Sequence, residues 1–319
     1  MTASDDVNVL SLENELTAYA LEQAHPLVKA WRGDHLAADM RQETAAFVAL
    51  MTDDERARRF AETMKVLALP PELFKARLVE IDGHRLLAQI DFPDPSARLP
   101  FVAVLCASTP PGTIPNMSIL RHLAEEFAIF LPRRVQFYHP AHLPLTASAV
   151  FVDQHFLASP AGEIAARPSA PGLTRVTLQR PADLRFYPRY VEAYNQMFSA
   201  RPELRGFVCI EREETLAECR AEGNLYEIAV DGVWAGVIAA RRQVVAGLRG
   251  IYMVDILLDH TARGQGLGPA VHQRLALKVA SVDPSAILTG TIASVNKPSL
   301  KTATRAGRIE IGAWYWFDL

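Results

Sequence analysis

Residues 253–280 read MVDILLDHTARGQGLGPAVHQRLALKVA, and the fold turns on how this stretch is parsed. An apolar run ends at Leu258, a turn with glycines at 264, 266 and 268 follows, and Val271, Leu275 and Val279 then recur at helical spacing. Glycines lack Cβ, so the chain turns tightly and successive backbone N–H groups converge as an anion nest, to which a helix N-terminus adds partial positive charge. Pro269 is tolerated because the first helical turn leaves its N–H groups unbonded. The segment therefore predicts a strand, a pyrophosphate-binding turn and a helix from about Gly266 to Ala280.

Two other phosphate loops fit poorly. A nucleotide-hydrolysing loop needs Lys followed by Ser or Thr after its last glycine, and Pro269-Ala270 stand there. A dinucleotide-binding turn belongs after the first strand of its unit, whereas this one follows several elements. Those elements are a short strand at Val176–Leu178, amphipathic helices at Leu184–Ser199 and Glu211–Glu222, and two apolar runs joined by Asp231-Gly232, a strong hairpin signal. Gly250–Leu258 is the next strand. Downstream, Ile287–Ile292 reads as a strand, Pro298–Ala306 as a short helix and Ile309–Phe317 as a closing strand.

With those elements in place, the segment resembles the GCN5-related N-acetyltransferases (GNAT). Their [Q/R]xxGxG/A signature stands here as Arg263-Gly264-Gln265-Gly266-Leu267-Gly268, and their later Asn, Ser and Gly pattern as Asn296, Ser299 and Gly307. The resemblance covers residues 174–319. It implies an α/β (α+β) domain with a mixed, mostly antiparallel central sheet flanked by helices, and acetyl-CoA as co-substrate. It also implies that the turn from Arg263 through Gly264, Gln265, Gly266 and Leu267 to Gly268 holds the pyrophosphate. Ile256, Leu257 and Leu258 would pair with the pantetheine amides along a strand splayed from its neighbour, and Asn296 and Ser299 would sit near the pantetheine arm and sulfur. The Arg263 side chain itself reads equally as a solvated group.

The implied reaction needs a base, because an amine with a pKa near 10.4 is protonated at neutral pH and cannot attack a thioester. Asp255, eight residues before Arg263, is the first candidate, read otherwise as a strand residue facing solvent, and Glu227 is the second. Asp259 and His260 read as surface turn residues. Backbone N–H groups near Leu257 are candidate oxyanion donors. The family pattern places a Tyr seven residues after its Asn as proton donor to the leaving thiolate, but Ala303 occupies that position. Thr302, Thr304, Tyr315 or water remain as donors.

The 319 residues are about twice a usual domain length. ASPAGEIAARPSAPGLT, residues 158–174, lacks helical or strand periodicity, so the expected division is a domain at 1–157, a linker at 158–173 and a domain at 174–319. A shift of 149 residues lays Asp82-Gly83 on Asp231-Gly232, Phe101–Cys106 on Gly250–Asp255 and Met117–Leu131 on Gly266–Ala280. The first half is thus expected to be a degenerate GNAT-like domain. Its counterpart of the anion turn is TPPGTIPNMSI from Thr109, where two prolines remove N–H donors.

Charge and composition narrow the function classes. The net charge of -3 argues against nucleic acid or an anionic membrane as principal partner. Residues 174–319 carry 18 Lys and Arg against 15 Asp and Glu, while residues 1–173 carry 15 against 21. Three cysteines, Cys106, Cys209 and Cys219, give neither a disulfide framework nor metal-ligand spacing, and the pair His139 and His142 lacks a third ligand, so no metal is expected. An acidic N-terminus and the lack of any long apolar stretch predict a cytoplasmic protein. The expectation is an enzyme, an acyltransferase moving acetyl from acetyl-CoA to a primary amine of a small molecule or peptide. A longer acyl group, an alcohol acceptor and a non-catalytic acyl-CoA sensor are the alternatives, and a homodimer is the assembly to test for.

Overall fold

The computed structural model describes residues 9–93, 99–109, 116–145 and 149–319. Two compact units make up the chain. Unit 1 comprises Met1–Asp153 with Val244–Leu248 and Gly312–Leu319, and unit 2 comprises Gln154–Gln243 with Arg249–Ile311.

Unit 1 begins with helices α1 (Val9–Gln23), α2 (Pro26–Arg32), α3 (Leu36–Ala49) and α4 (Asp54–Thr63), followed by β1 (Arg77–Ile81), β2 (His84–Asp91), β3 (Phe101–Ser108), α5 (Met117–Glu125), β4 (Arg134–Pro140) and the start of β5 (Val150–Pro160). The β1–β2 hairpin turns at Asp82-Gly83, both with positive φ (51° and 77°), as a two-residue turn matched to strand twist requires. One face of the sheet buries Phe74, Ile90, Leu120, Leu123 and Phe127; the other packs Leu87 under Leu12 and Leu16 of α1 and Val48 of α3. The charges of these helices do not all face outward: Asp39 of α3 is buried and accepts from Arg32 Nε at 2.7 Å.

Unit 2 holds the rest of β5, then α6 (Ala161–Ala165), β6 (Val176–Gln179), α7 (Tyr187–Ala200), α8 (Glu213–Ala221), β7 (Leu225–Val230), β8 (Val233–Val245), β9 (Leu248–Leu258), α9 (Gly268–Ala280), β10 (Ile287–Ala293), α10 (Lys297–Ala306) and the start of β11 (Ile309–Asp318). Its strands run in the order β5-β10-β9-β8-β7-β6, antiparallel except for the parallel β9–β10 pair. Leu267, Val271 and Leu275 bring α9 onto one face with Ile228 and Ile238, while Tyr190, Tyr194 and Phe198 of α7 and Leu216 of α8 cover the other with Leu225 and Val237.

The division differs from the one expected at 158–173. Pro160 still belongs to β5, paired with Ile287, and Ala161 and Ile164 of α6 are fully buried against the α9 core. Small residues stand there because the backbone passes close to its neighbours: a Cβ on Gly162 would stand 2.9 Å from the Pro284 carbonyl oxygen. The closing strand differs as well. From Gly312 onward β11 pairs with β4 of unit 1, and Asp318 accepts a hydrogen bond from Arg134 Nε at 2.7 Å. The strand order of unit 1 is therefore β1-β2-β3-β4-β11. All four consecutive rings pack there: Trp314 against Tyr138, Tyr315 on Phe137, Trp316 on Phe101 and Phe317 in the core. The β8–β9 hairpin tip also belongs to unit 1, where Glu43 accepts the N–H groups of Ala246 and Gly247 at 2.8 and 2.6 Å.

Candidate functional site

In unit 2, β9 pairs with β10 only at Ile251 and Tyr252, opposite Leu288 and Thr289, and continues to Leu258 without register partners there. Side-chain alternation slips along the unpaired stretch. Ile251 and Met253 join the α9-facing core, Val254 and Leu257 the α7-facing core, and Ile256 and Leu258 return to the α9 face. A strict two-residue period cannot do this, so β9 carries an irregularity between Met253 and Ile256. Its result is that Asp255 turns toward α7.

Tyr190 and Tyr194 lie one helical turn apart on α7 and both donate their hydroxyls to Asp255, at 2.7 Å to Oδ2 and 2.9 Å to Oδ1. The Tyr190 oxygen also accepts the Glu211 N–H at 3.1 Å, and Tyr187 donates to the Glu211 carbonyl at 3.1 Å. Burial pushes the Asp255 carboxyl up to about 7, opposed by the two phenols, raised further by the nearby charge of Glu211 and opposed again by the Ile256 N–H. The residue keeps partial exposure to solvent. A carboxylate with a pKa near neutrality is chemically suited to accept a proton and release it again.

Glu227 is not brought to this group. It faces the same side of the sheet, opposite Val237 on β8, but a whole strand separates it from β9, so its backbone lies about 10 Å from that of Asp255. Asp259 instead builds the turn after β9, accepting the N–H and hydroxyl of Thr261 at 3.0 and 2.7 Å, with His260 beside it.

The peptide groups of β9 divide between its two edges. Leu257 aims its carbonyl at Gly236 of β8, where any Cβ would overlap it, and Asp259 donates its N–H to Ala235 at 2.7 Å. By strand alternation the peptide groups of Ile256 and Leu258 face the edge toward β10. The oxyanion donor expected near Leu257 thus cannot be its own N–H, which turns to β8 with its carbonyl.

The turn after β9 has the geometry of an anion nest. Gly264 and Gly266 adopt φ of 76° and 73°, with nothing within 4 Å of where a Cβ would stand, so their outer face is open. No side chain caps the N-terminus of α9, leaving its first N–H groups to a ligand. Gly268 is small for another reason: a Cβ there would run into Thr302 of α10. Leu267 is buried. The Arg263 side chain is a brace rather than a solvated group, donating from Nε to the Leu258 carbonyl at 2.6 Å and from Nη2 to the Ala193 carbonyl at 3.2 Å. Gln265 donates to the Thr261 carbonyl at 2.7 Å and accepts from Arg175. These residues fit a pyrophosphate bound through main-chain N–H groups.

Asn296 begins α10 without using its side chain as a cap, and both it and Ser299 are partly exposed. Gly307 ends the helix with φ of 102°. Ala303 is fully buried, Thr304 donates its hydroxyl to the Leu300 carbonyl at 3.0 Å, and Tyr315 packs in the core of unit 1. Residues 110–115 of the first-half turn lie outside the described residues. The helix that follows it, α5, is capped by Asn116, whose side chain accepts the Ser118 N–H at 3.0 Å, in contrast to the uncapped α9. Among the described residues no group of His, Cys, Asp and Glu is placed to hold a metal, and no helix is long and apolar enough to cross a membrane.

No protein-family model matches the sequence, and no curated protein matches it in sequence. Solved structures do match. A GNAT-family acetyltransferase from Colwellia psychrerythraea is 11% identical, with a TM-score of 0.52 over 100% of this chain and 98% of that one. A GCN5-related N-acetyltransferase from Sphaerobacter thermophilus is 13% identical over 82% of this chain and 91% of that one, with a TM-score of 0.47. A tandem GNAT protein from the clavulanic acid biosynthesis pathway is 14% identical over 83% and 95%, with a TM-score of 0.44. The first of these shows that the whole chain has the fold of a GNAT-family acetyltransferase.

Proposed function

We propose that unit 2 is an acetyl-CoA-dependent N-acetyltransferase and that Asp255 is its base. The observation that carries this reading is the placement of one carboxylate, held by two phenols, on the unpaired stretch of β9 that ends in the anion turn. Backbone N–H groups of Gly264, Gly266 and Gly268 hold the pyrophosphate, the Arg263 N–H being bonded to the Asp259 carbonyl at 3.1 Å, and the edge at Ile256 and Leu258 takes the pantetheine amides as an added strand would, with the Leu258 carbonyl shared with Arg263 Nε. Asn296 and Ser299 line the arm.

Asp255 removes a proton from the acceptor ammonium, directly or through one water. The free amine then attacks the thioester carbonyl carbon and a C–N bond forms; the nitrogen gives its remaining extra proton to water, the C–S bond breaks, and the thiolate takes a proton from water, directly or through the Thr302 hydroxyl, since Ala303 provides none. Tyr190 and Tyr194 do not hold that proton. They orient the carboxylate and keep its charge affordable in a poorly solvated place. The acceptor is a primary amine of a small molecule or peptide.

Thiol release from acetyl-CoA, followed across a panel of amines, tests the reading. Turnover with at least one amine, abolished by Asp255→Asn, supports it. CoA binding with no turnover across the panel would leave a sensor instead.

A further inference from the structure

Arg308, two residues after α10, carries a buried guanidinium at the point where β9 and β10 part. Its Nη2 donates to the carbonyls of Leu157 at 2.6 Å and Gly290 at 3.0 Å, and its Nη1 lies 3.9 Å from Met253 Sδ. Met253 is the β9 residue just beyond the last paired position and Gly290 its counterpart on β10, so the cation sits at the apex of the fork. Gly290 makes room for it: a Cβ there would stand 3.0 Å from Nη2.

Two features set this group apart from a structural tie. Its partners among the described residues are two carbonyls and a thioether, none of them a carboxylate, and its Nε is buried with no partner at all. Beside it on α9, His272 is also buried, with Nδ1 unpartnered, and is held neutral by burial and by the Arg308 charge. A buried cation without a counter-ion is costly, and a ligand carboxylate is the natural compensation.

We propose that the fork accepts an acyl-CoA whose acyl chain ends in a carboxylate, and that Arg308 binds that carboxylate through its free Nε–H. This deepens the acyl-CoA reading of unit 2 and rests on it. With the pyrophosphate on the turn at 263–268, the arm runs back along β9 from Leu258 toward Asp255, which aims the acyl end at Met253 and Arg308. The bonds formed and broken are those of acetyl transfer; only the transferred group changes.

Calorimetric titration of the full chain with acetyl-, butyryl- and succinyl-CoA tests the assignment, because butyryl and succinyl share a carbon count and differ in the terminal carboxylate. Succinyl-CoA is expected to bind at least about ten-fold tighter than butyryl-CoA, and Arg308→Met to bring the two within about two-fold. Equal affinities in the native protein, or a succinyl preference that survives Arg308→Met, overturn the proposal and leave the acyl-CoA reading standing. Binding of no CoA thioester overturns both. The native comparison needs no variant, so it decides the substrate class even where Arg308→Met fails to fold.

Discussion

Tyr190 donates its phenolic proton to Asp255 at 2.7 Å while its oxygen accepts the Glu211 N–H, which fixes the direction of the bond. An amide can only donate, so the phenol's one proton is left for the carboxylate. Asp255 therefore accepts the Tyr190 hydroxyl as well as that of Tyr194, and any proton it gains comes from neither phenol.

These donors favour the ionised carboxylate, so removing one raises a pKa that already stands at about 7. The rising limb of kcat/KM against pH is expected near pH 7 in the native protein, with activity lost as pH falls through it. Tyr190→Phe and Tyr194→Phe are each expected to move that limb to higher pH. A limb that stays in place in both variants would show that another group titrates.

Asp255→Asn keeps the shape and one acceptor oxygen, but its amide NH2 can neither accept the second phenol nor take a proton. The expected loss in kcat is about 10²- to 10⁴-fold, with CoA affinity retained because the side chain faces α7 rather than the anion turn. Glu227→Gln, a strand away, separates the two candidate bases: a comparable loss there would move the role to Glu227.

Gly264 and Gly266 have positive φ but open space around them. Alanine at either is expected to cost about 1–2 kcal/mol through backbone conformation alone, and to weaken CoA binding because the nest distorts. Calorimetry and thermal melting together separate the two effects.

Gly268 presents the opposite case, a backbone that suits most residues but a neighbour too close, Thr302. Gly268→Ala is expected to lower stability by about 1–3 kcal/mol as an overpacking change, and Thr302→Ala to restore part of it. A double-mutant cycle in denaturant reads the coupling directly.

Much of this was legible locally. Asp82-Gly83 and Asp231-Gly232 announced their hairpins because only a few residue types tolerate two successive positive φ angles, and the glycines from 264 to 268 announced the anion turn for the same reason. Asp255 is marked by the family resemblance, which implies a strand carboxylate near the acetyl group. The tyrosines that hold it were not, because Tyr190 and Tyr194 at helical spacing look like any apolar stripe, and only the slip in β9 turns the carboxylate toward them. Arg308 looked like an ordinary charge after a helix. Nothing in a strand's own residues says which sheet it joins, so 158–173 read as a linker and β11 as part of the second half.

The placement of β11 bears on when the protein can fold. Residues 312–318 complete the sheet of unit 1 against a strand that begins at Arg134, so they leave the ribosome long after the rest of that sheet. Unit 1 cannot close until they are made, although domains ordinarily fold in order from the N-terminus. Its β4 edge must wait through the synthesis of unit 2, a period in which such edges attract other strands. A chain interrupted just before residue 312 would therefore be injured near its beginning. Pulse-labelled chains stalled at residue 311 are expected to show a protease-sensitive first unit, and chains extended through 319 a resistant one.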